Sequence, residues 1–481
     1  MTRFKPYLAP ILAALVLVGC ATAPTIEPSA LPSIPSIFKE GDGRFTQTAP
    51  ASVAPRGAWW TSFEDPTLDA LQARATERNN GLQQAVARLA RARALARASD
   101  ADRAPQLGLG GQLTRQGGGL ARASGTDGNL GSLGANLAYE LDLFGRLSEA
   151  AHAARLDAEA QEALLTDARL LVQADVAQTY LALRALDAER TMVRETVAAY
   201  RDTLDLTERR FAAGDVAELE VARVRTELAA TESDAFALDR RRAELEHALA
   251  LLLGEAASDF SLPEADWQTA LPTIPAGVPS TVLTRRPDIA AAQHALLAAQ
   301  ARVGVARTAW FPNIALTAQG GYASSDLGEL FTWSARSWGI GALLALPIFD
   351  GGRRDAALQA AAADLDGALA RYREQVLVAF RDVEDQLASL RLLTQQATAQ
   401  SRAVDSAVRA TVLSDHRYRN GLVSQLDLLD ARRSELANRR AALQVRAARF
   451  QATVGLIRAL GGSWAPPAEG LAGAGPAGAS G

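Results

Sequence analysis

The sequence predicts a mainly α-helical protein, internally duplicated, with a small transmembrane β part. Three observations predict it. One unit recurs at a fixed spacing of 207 residues, two stretches in each unit alternate apolar and polar residues, and two stretches of 67 residues carry the composition of unbroken helix.

A repeat has to be found before elements are named. Pro105 recurs as Pro312, and Gly145-Arg146 as Gly352-Arg353. Phe211 and Gly214 recur as Tyr418 and Gly421, and Leu253-Gly254 as Leu460-Gly461, all at the same spacing without a gap. Asn80 falls opposite Pro287, a residue that breaks a helix interior. Length alone would suggest about three domains, but duplication accounts for the 481 residues better. The expected division is a signal peptide at 1–19, an extended strap at 20–60, a first repeat at 61–254, a second at 255–461 and a flexible tail at 462–481.

Within each repeat a short Ala-, Leu- and Arg-rich helical stretch (81–103 in the first) leads to a proline and a strand. Strands are expected at about 105–117, 130–143, 312–323 and 337–347, because these stretches alternate with period two. Leu133, Ala135, Leu137, Tyr139 and Leu141 fall on one face, and Ser132, Gly134, Asn136 and Glu140 on the other. Ile314, Leu316, Ala318 and Tyr322, then Trp338, Ile340, Ala342 and Leu344, repeat the apolar face. Length and pattern suit tilted transmembrane strands. Tyr322, Phe331, Trp333 and Trp338 gather near one loop, where an aromatic girdle would sit. Four strands cannot close a pore, and an open sheet edge is not tolerated in lipid. The strands therefore imply oligomerisation, and three copies would give a 12-stranded β-barrel.

Residues 146–212 contain neither proline nor glycine, and 353–419 only Gly367. Strong helix formers and solubilising charges fill both. Each would be a rod of about 100 Å. A glycine turn ends each, at Gly214 and Gly421, and a return helix follows, expected at 216–253 in the first repeat. A long helix beside two short ones in series would make a cylinder wall. Segment 255–286, rich in proline, could wrap its waist.

The first residues form a basic start, Arg3 and Lys5, then an apolar stretch too short for a comfortable span. It ends Leu17-Val18-Gly19-Cys20, which resembles a lipoprotein signal box with Cys20 as the acylated first mature residue. Ala21, rather than aspartate, favours the outer membrane by resemblance to bacterial sorting rules.

Composition narrows the function. Net charge is −4 and the pI about 5.8, the wrong sign for a nucleic-acid partner. One cysteine excludes a disulfide framework. Lys5 and Lys39 are the only lysines, so the body lacks a phosphate-loop or Schiff-base lysine. Four scattered histidines without i,i+4 spacing give no support to a metal site. Gly108-Leu109-Gly110 lacks the strand–turn–helix setting of a phosphate loop. No catalytic constellation is found, and the expectation is a protein that is not an enzyme and carries no cofactor beyond a lipid on Cys20.

Taken together, the signal box, Trp59-Trp60, Asp65-Pro66, the duplication, Arg285-Arg286-Pro287-Asp288, Trp310-Phe311-Pro312 and the two turns resemble the TolC/OprM-type outer-membrane factors, most closely their lipoprotein, NodT-like branch. The similarity spans nearly the whole mature chain. The resemblance implies a homotrimeric, lipid-anchored duct with an outer-membrane barrel and a long periplasmic α-helical tunnel. It would serve efflux or type I-like export, docked to a periplasmic adaptor (membrane fusion) protein and an inner-membrane pump, expected to be of the RND type.

By that resemblance the tunnel narrows after the second turn. Asp427 and Asp430 are spaced i,i+3 and share a helix face, beside a stripe of Leu422, Leu426 and Leu429. In a trimer they would stack as rings that favour cations, with crowding raising their pKa values. Glu220, the counterpart of Asp427, and Tyr418 match gate-latching positions of the family. The arginine some members place two residues after the glycine is Val423 here, which puts the latch in doubt. Turn residues Arg210, Gly214, Asp215, Arg417, Gly421 and Val423 are expected to meet the adaptor. The rival reading is a lipid-anchored periplasmic coiled-coil adaptor or scaffold without a pore, in which 105–143 and 312–347 would not enter a membrane.

Overall fold

The computed structural model describes residues 23–41 except 28, 30, 34 and 36, and then 57–119, 128–272, 274 and 285–462. Cys20, the expected signal peptide, strap residues 42–56 and the expected tail beyond 462 lie outside the described residues.

The duplication is visible element by element. The first repeat runs α1 (Pro66–Arg78), α2 (Asn80–Ala101), β1 (Gln106–Gln116), β2 (Gly128–Leu141), α3 (Arg146–Ala212) and α4 (Glu218–Leu252). The second runs α5 (Pro287–Thr308), β3 (Asn313–Ser324), β4 (Arg336–Ala345), α6 (Arg353–Arg419) and α7 (Gln425–Ala459). α2 and α5 have 22 residues each, α3 and α6 have 67, and α4 and α7 have 35. Each pair starts and stops at the sequence spacing. Pro287 opens α5 instead of breaking a helix, because a first-turn proline loses no intrahelical bond. Pro66 does the same for α1.

The chain divides into two compact units. One holds residues 87–163 and 290–375, with the described residues up to Pro32. Its four strands form an antiparallel sheet in the order β1-β2-β3-β4. Gly111 faces Leu133, Leu133 faces Tyr322, and Tyr322 faces Arg336. Opposed residues share a face of the sheet. One face is therefore Leu107, Leu109, Leu113, Leu133, Leu137, Tyr139, Leu316, Trp338, Ile340 and Leu344, and the other carries Gln112, Ser132, Asn136, Thr317 and Gln319. Ile340 is 82% exposed and Leu109 80%, so the apolar face is bare in the single chain. Phe331, Trp333 and Trp338 are also exposed, as a girdle requires. At the foot of the sheet, Phe144 stacks on Phe311 with centroids 4.8 Å apart. Beneath it Leu296 and Ala299 pack on Ala368, with Ile26 of the strap against them. The Gln300 amide donates to the Pro24 carbonyl at 2.6 Å.

The other unit holds 33–86, 164–289 and 376 onward and is helical among the described residues. Its aromatic core stacks Phe63 on Phe450 (6.1 Å) and sets Trp267 against Phe450 (4.9 Å). Asp65 caps α1 by accepting from the amides of Thr67 and Leu68, and its second oxygen accepts from the hydroxyls of Tyr180 (2.8 Å) and Thr269 (2.9 Å). The Asp65-Pro66 pair thus joins helix start to core. Segment 255–272 is pinned to α3 and α4. Arg184 donates to Pro263 O (2.8 Å), Arg190 pairs with Glu264 (2.8 Å), and Glu246 accepts from the Leu262 amide (2.6 Å). Arg184, Asp187 and Arg190 are buried, and such charges are tolerated only when paired this completely. The Lys39 and Glu40 amides donate to the Glu384 carboxylate (2.7 and 2.9 Å), seating the strap on α6.

Candidate functional site

Both long helices end in the same way. The Asp215 amide donates to Arg210 O and the Gly214 amide to Phe211 O, each at 2.9 Å. The Leu422 amide donates to Arg417 O (2.8 Å) and the Gly421 amide to Tyr418 O (3.0 Å). Gly214 and Gly421 have φ of 83° and 69°, the left-handed cap that glycine adopts without strain. Gly214, Asp215, Arg417 and Gly421 are exposed, while Arg210 and Val423 are half-buried. The Arg210 guanidinium lies over the Tyr418 ring, 5.1 Å from its centroid, so the two turns touch through two sequence-predicted residues. Tyr418 is buried, and its hydroxyl has no hydrogen-bond partner among the described residues.

The return helices begin differently. In α7 the Ser424 hydroxyl donates to Asp427 Oδ2 (2.7 Å) and accepts from the Asp427 amide (3.3 Å). The Ser424 amide donates to the same Oδ2 (3.0 Å), completing a capping box. In α4 the counterpart of Ser424 is Ala217, which offers no side-chain cap, and Glu220 stands half-buried outside any box. Hydrogen bonds from the Ser424 hydroxyl and amide hold the Asp427 carboxyl below its ordinary range, with the Arg417 charge acting in the same direction. Within one chain this opposes the upward shift that ring crowding was expected to bring.

Asp430 lies one turn on, exposed like Asp427, with the Arg433 guanidinium 3.2 Å away. Arg433 also reaches Glu227 on α4 (2.7 Å), and that hydrogen bonding lowers the Glu227 pKa and raises that of Arg433. The apolar stripe differs from the expected one. Leu422 and Leu426 are 67% and 42% exposed, whereas Leu428 and Leu429 are buried. Leu429 packs with Tyr200 and Val224, and that contact turns the helix. Two further residues fix α7. Gln425 is buried and donates to Thr207 Oγ1 (2.7 Å). Arg432 donates to Thr203 Oγ1 and pairs with Asp415 (3.3 Å). Neither pairing has a signal in the sequence, since Gln425 and Thr207 are 218 residues apart. Among the described residues, no group of three or more His, Cys, Asp or Glu is placed to hold a metal, and no helix is long and apolar enough to cross a membrane.

The chain matches the outer membrane efflux protein family twice, over residues 71–255 and 278–462, at the spacing of the internal repeat. It is 34% identical to the cation efflux system protein CusC of Escherichia coli O157:H7 over 461 residues, 95% of this chain and 98% of that one. It is 34% identical to the solvent efflux pump outer membrane protein SrpC of Pseudomonas putida over 464 residues, with the same coverage. Among solved structures it is similar to the outer-membrane channel OprN, with a TM-score of 0.84 and 29% identity, covering 93% of this chain and 100% of that one.

Proposed function

The chain belongs to the outer membrane efflux protein family and is an outer-membrane exit duct, and from that premise we propose a passive, lipid-anchored homotrimer gated at its helix turns. The carrying observation is the sheet. Its outer strands β1 and β4 pair only inward, with β2 and β3, so each leaves one edge without a strand partner among the described residues, and its apolar face is bare. Lipid admits neither free edge unless the sheet closes, and three four-stranded sheets give twelve strands. The pore-free scaffold reading has no use for such a sheet.

Asp427 and Asp430 form the constriction in this reading. Both are exposed on one face of α7, and three copies would stack as two carboxylate rings that prefer cations. Glu220 and Tyr418 serve the gate, with Arg210 on the Tyr418 ring in place of the arginine absent at Val423. The turns at Gly214 and Gly421 meet a periplasmic adaptor, which joins the duct to an inner-membrane pump of the RND type. Cys20 carries the acyl chains, no other cofactor is involved and no reaction is catalysed. The cargo is set by the pump. Relatives of equal identity are named for cations and for solvents, and with only Met1 and Met192 this chain has no methionine relay for soft metals.

The test is single-channel conductance of the purified protein in a planar bilayer, with intact mass from the same sample. We expect discrete cation-preferring openings from a trimer whose protomer mass equals the chain from Cys20 plus acyl groups. A monomer that leaves the bilayer silent would overturn the duct. An unmodified mass would overturn only the anchor.

A further inference from the structure

The capping box that starts α7 occurs in one repeat only, and it engages a residue expected to line the constriction. We propose that Ser424 is a positioning residue for the pore: its hydroxyl and amide fix the Asp427 carboxylate, so that the second repeat alone supplies a preoriented carboxylate ring. The inference rests on the reading of Asp427 as a constriction residue.

Asp427 Oδ2 receives both the Ser424 hydroxyl (2.7 Å) and the Ser424 amide (3.0 Å). The side chain is thereby held in one rotamer although the residue is exposed, where an unbound carboxylate would move among several. Among the described residues Oδ1 accepts no hydrogen bond, and it is the oxygen available to ions. Charged neighbours are few. Arg417, at the end of α6, faces Asp427 across the turn. Asp430 follows on the same helix and is engaged by Arg433, which also holds Glu227 of α4. Gln425, beside the cap, is tied to Thr207 of α3 through neutral groups. Donors that bind the ionised form keep a carboxylate charged into mild acid. A ring built this way stays ionised while unbound neighbours in a crowded pore take up protons.

The first repeat provides the internal control. Ala217 and Glu220 occupy the positions of Ser424 and Asp427 but lack the hydroxyl, so Glu220 has no cap partner. Ala217→Ser would restore a Ser-x-x-Glu pattern, the sequence of a capping box.

The experiment measures block of single channels by a multivalent cation, hexamminecobalt, as a function of pH in the full-length trimer. Wild type should keep its block into mild acid. Ser424→Ala should leave block at neutral pH nearly intact and move its loss upward by roughly half a pH unit or more. Ser424→Thr should restore the wild-type profile, which a merely structural role of the hydroxyl at neutral pH would not require. Asp427→Ala should weaken block at every pH. If Ser424→Ala impairs assembly, Ala217→Ser supplies the converse test, and it should make block more resistant to acid. Block lost in Asp427→Ala with an unshifted profile in the Ser424 and Ala217 variants would overturn the positioning role and leave the constriction standing. Block retained in Asp427→Ala would overturn the constriction itself.

Discussion

Asp167, half-buried in α3, shows how one carboxyl can set the pH response of the fold. Burial raises its pKa to about 6 from an ordinary 3.8, and the Asp288 charge adds to the rise, while Arg286 and Arg458 oppose it. In the unfolded chain the group returns to its ordinary value. Between those two values the folded protein holds a proton that the unfolded chain lacks, so stability rises as pH falls through about 6 and levels off near 3.8. At neutral pH the ionised group is therefore a local cost. Part of it is screened by water, leaving about 1 kcal/mol per protomer. We predict that Asp167→Asn raises the thermal unfolding midpoint at pH 7.5 by a few degrees and gives a clearly smaller gain at pH 4.5. An equal gain at both pH values would show that packing, not charge, limits the site. Nothing in the residues around Asp167 marks it, because Asp288 and Arg458 come from distant parts of the chain. The aspartates near the second turn were legible, since their i,i+3 spacing is local. Their cap at Ser424 was not read from the sequence, although a serine three residues before an acid is itself a local sign.

At the scale of elements, local signals carried nearly everything. The strand bounds fell within about two residues of the alternating pattern, and both 67-residue helices matched the stretches without proline. Alternation and helix composition are properties of neighbours along the chain, so they survive without knowledge of the fold. The orientation of the Ala-rich helices was not legible in the same way. Small residues on every side leave the buried face to be chosen by partners, which is how Leu428 replaced Leu426 in the core. The glycines separate these two kinds of information. Gly214 and Gly254 both end helices with positive φ, and sequence treats them alike. A Cβ at Gly214 would meet nothing within 4 Å, but one at Gly254 would lie 2.3 Å from the Arg78 carbonyl oxygen. Its counterpart at Gly461 would lie 2.8 Å from the Arg285 oxygen, so both repeats join return helix to short helix by the same close approach. Gly214→Ala should cost about 1 kcal/mol, from backbone conformation alone, and should spare assembly. Gly254→Ala must also displace backbone and should lower the unfolding midpoint by several degrees more. Equal midpoints would place the strain in φ and not in the contact.

For the whole molecule, the decisive property is that one chain is incomplete. The sheet presents an apolar face broader than a soluble monomer exposes, together with two strand edges that need partners. Lipid resolves the first problem and the other protomers the second, so membrane insertion and assembly should fail together when the apolar face is spoiled. Ile340 lies mid-strand on that face, opposite Ala318, and Gln319 lies on the other face, opposite Gly339. Arginine at the middle of a lipid-facing strand costs about 2–4 kcal/mol, whereas a lumen-facing change alters selectivity with little effect on stability. Symmetry places the substitution in every protomer, so the cost is incurred three times in one barrel. We therefore predict that Ile340→Arg sharply reduces the trimer recovered from outer membranes, measured as oligomer mass after extraction. Gln319→Arg should yield wild-type amounts of trimer with lower cation preference in bilayer recordings. If the two variants assemble equally well, the faces of the sheet are not divided between lipid and lumen, and the twelve-stranded closure loses its physical basis.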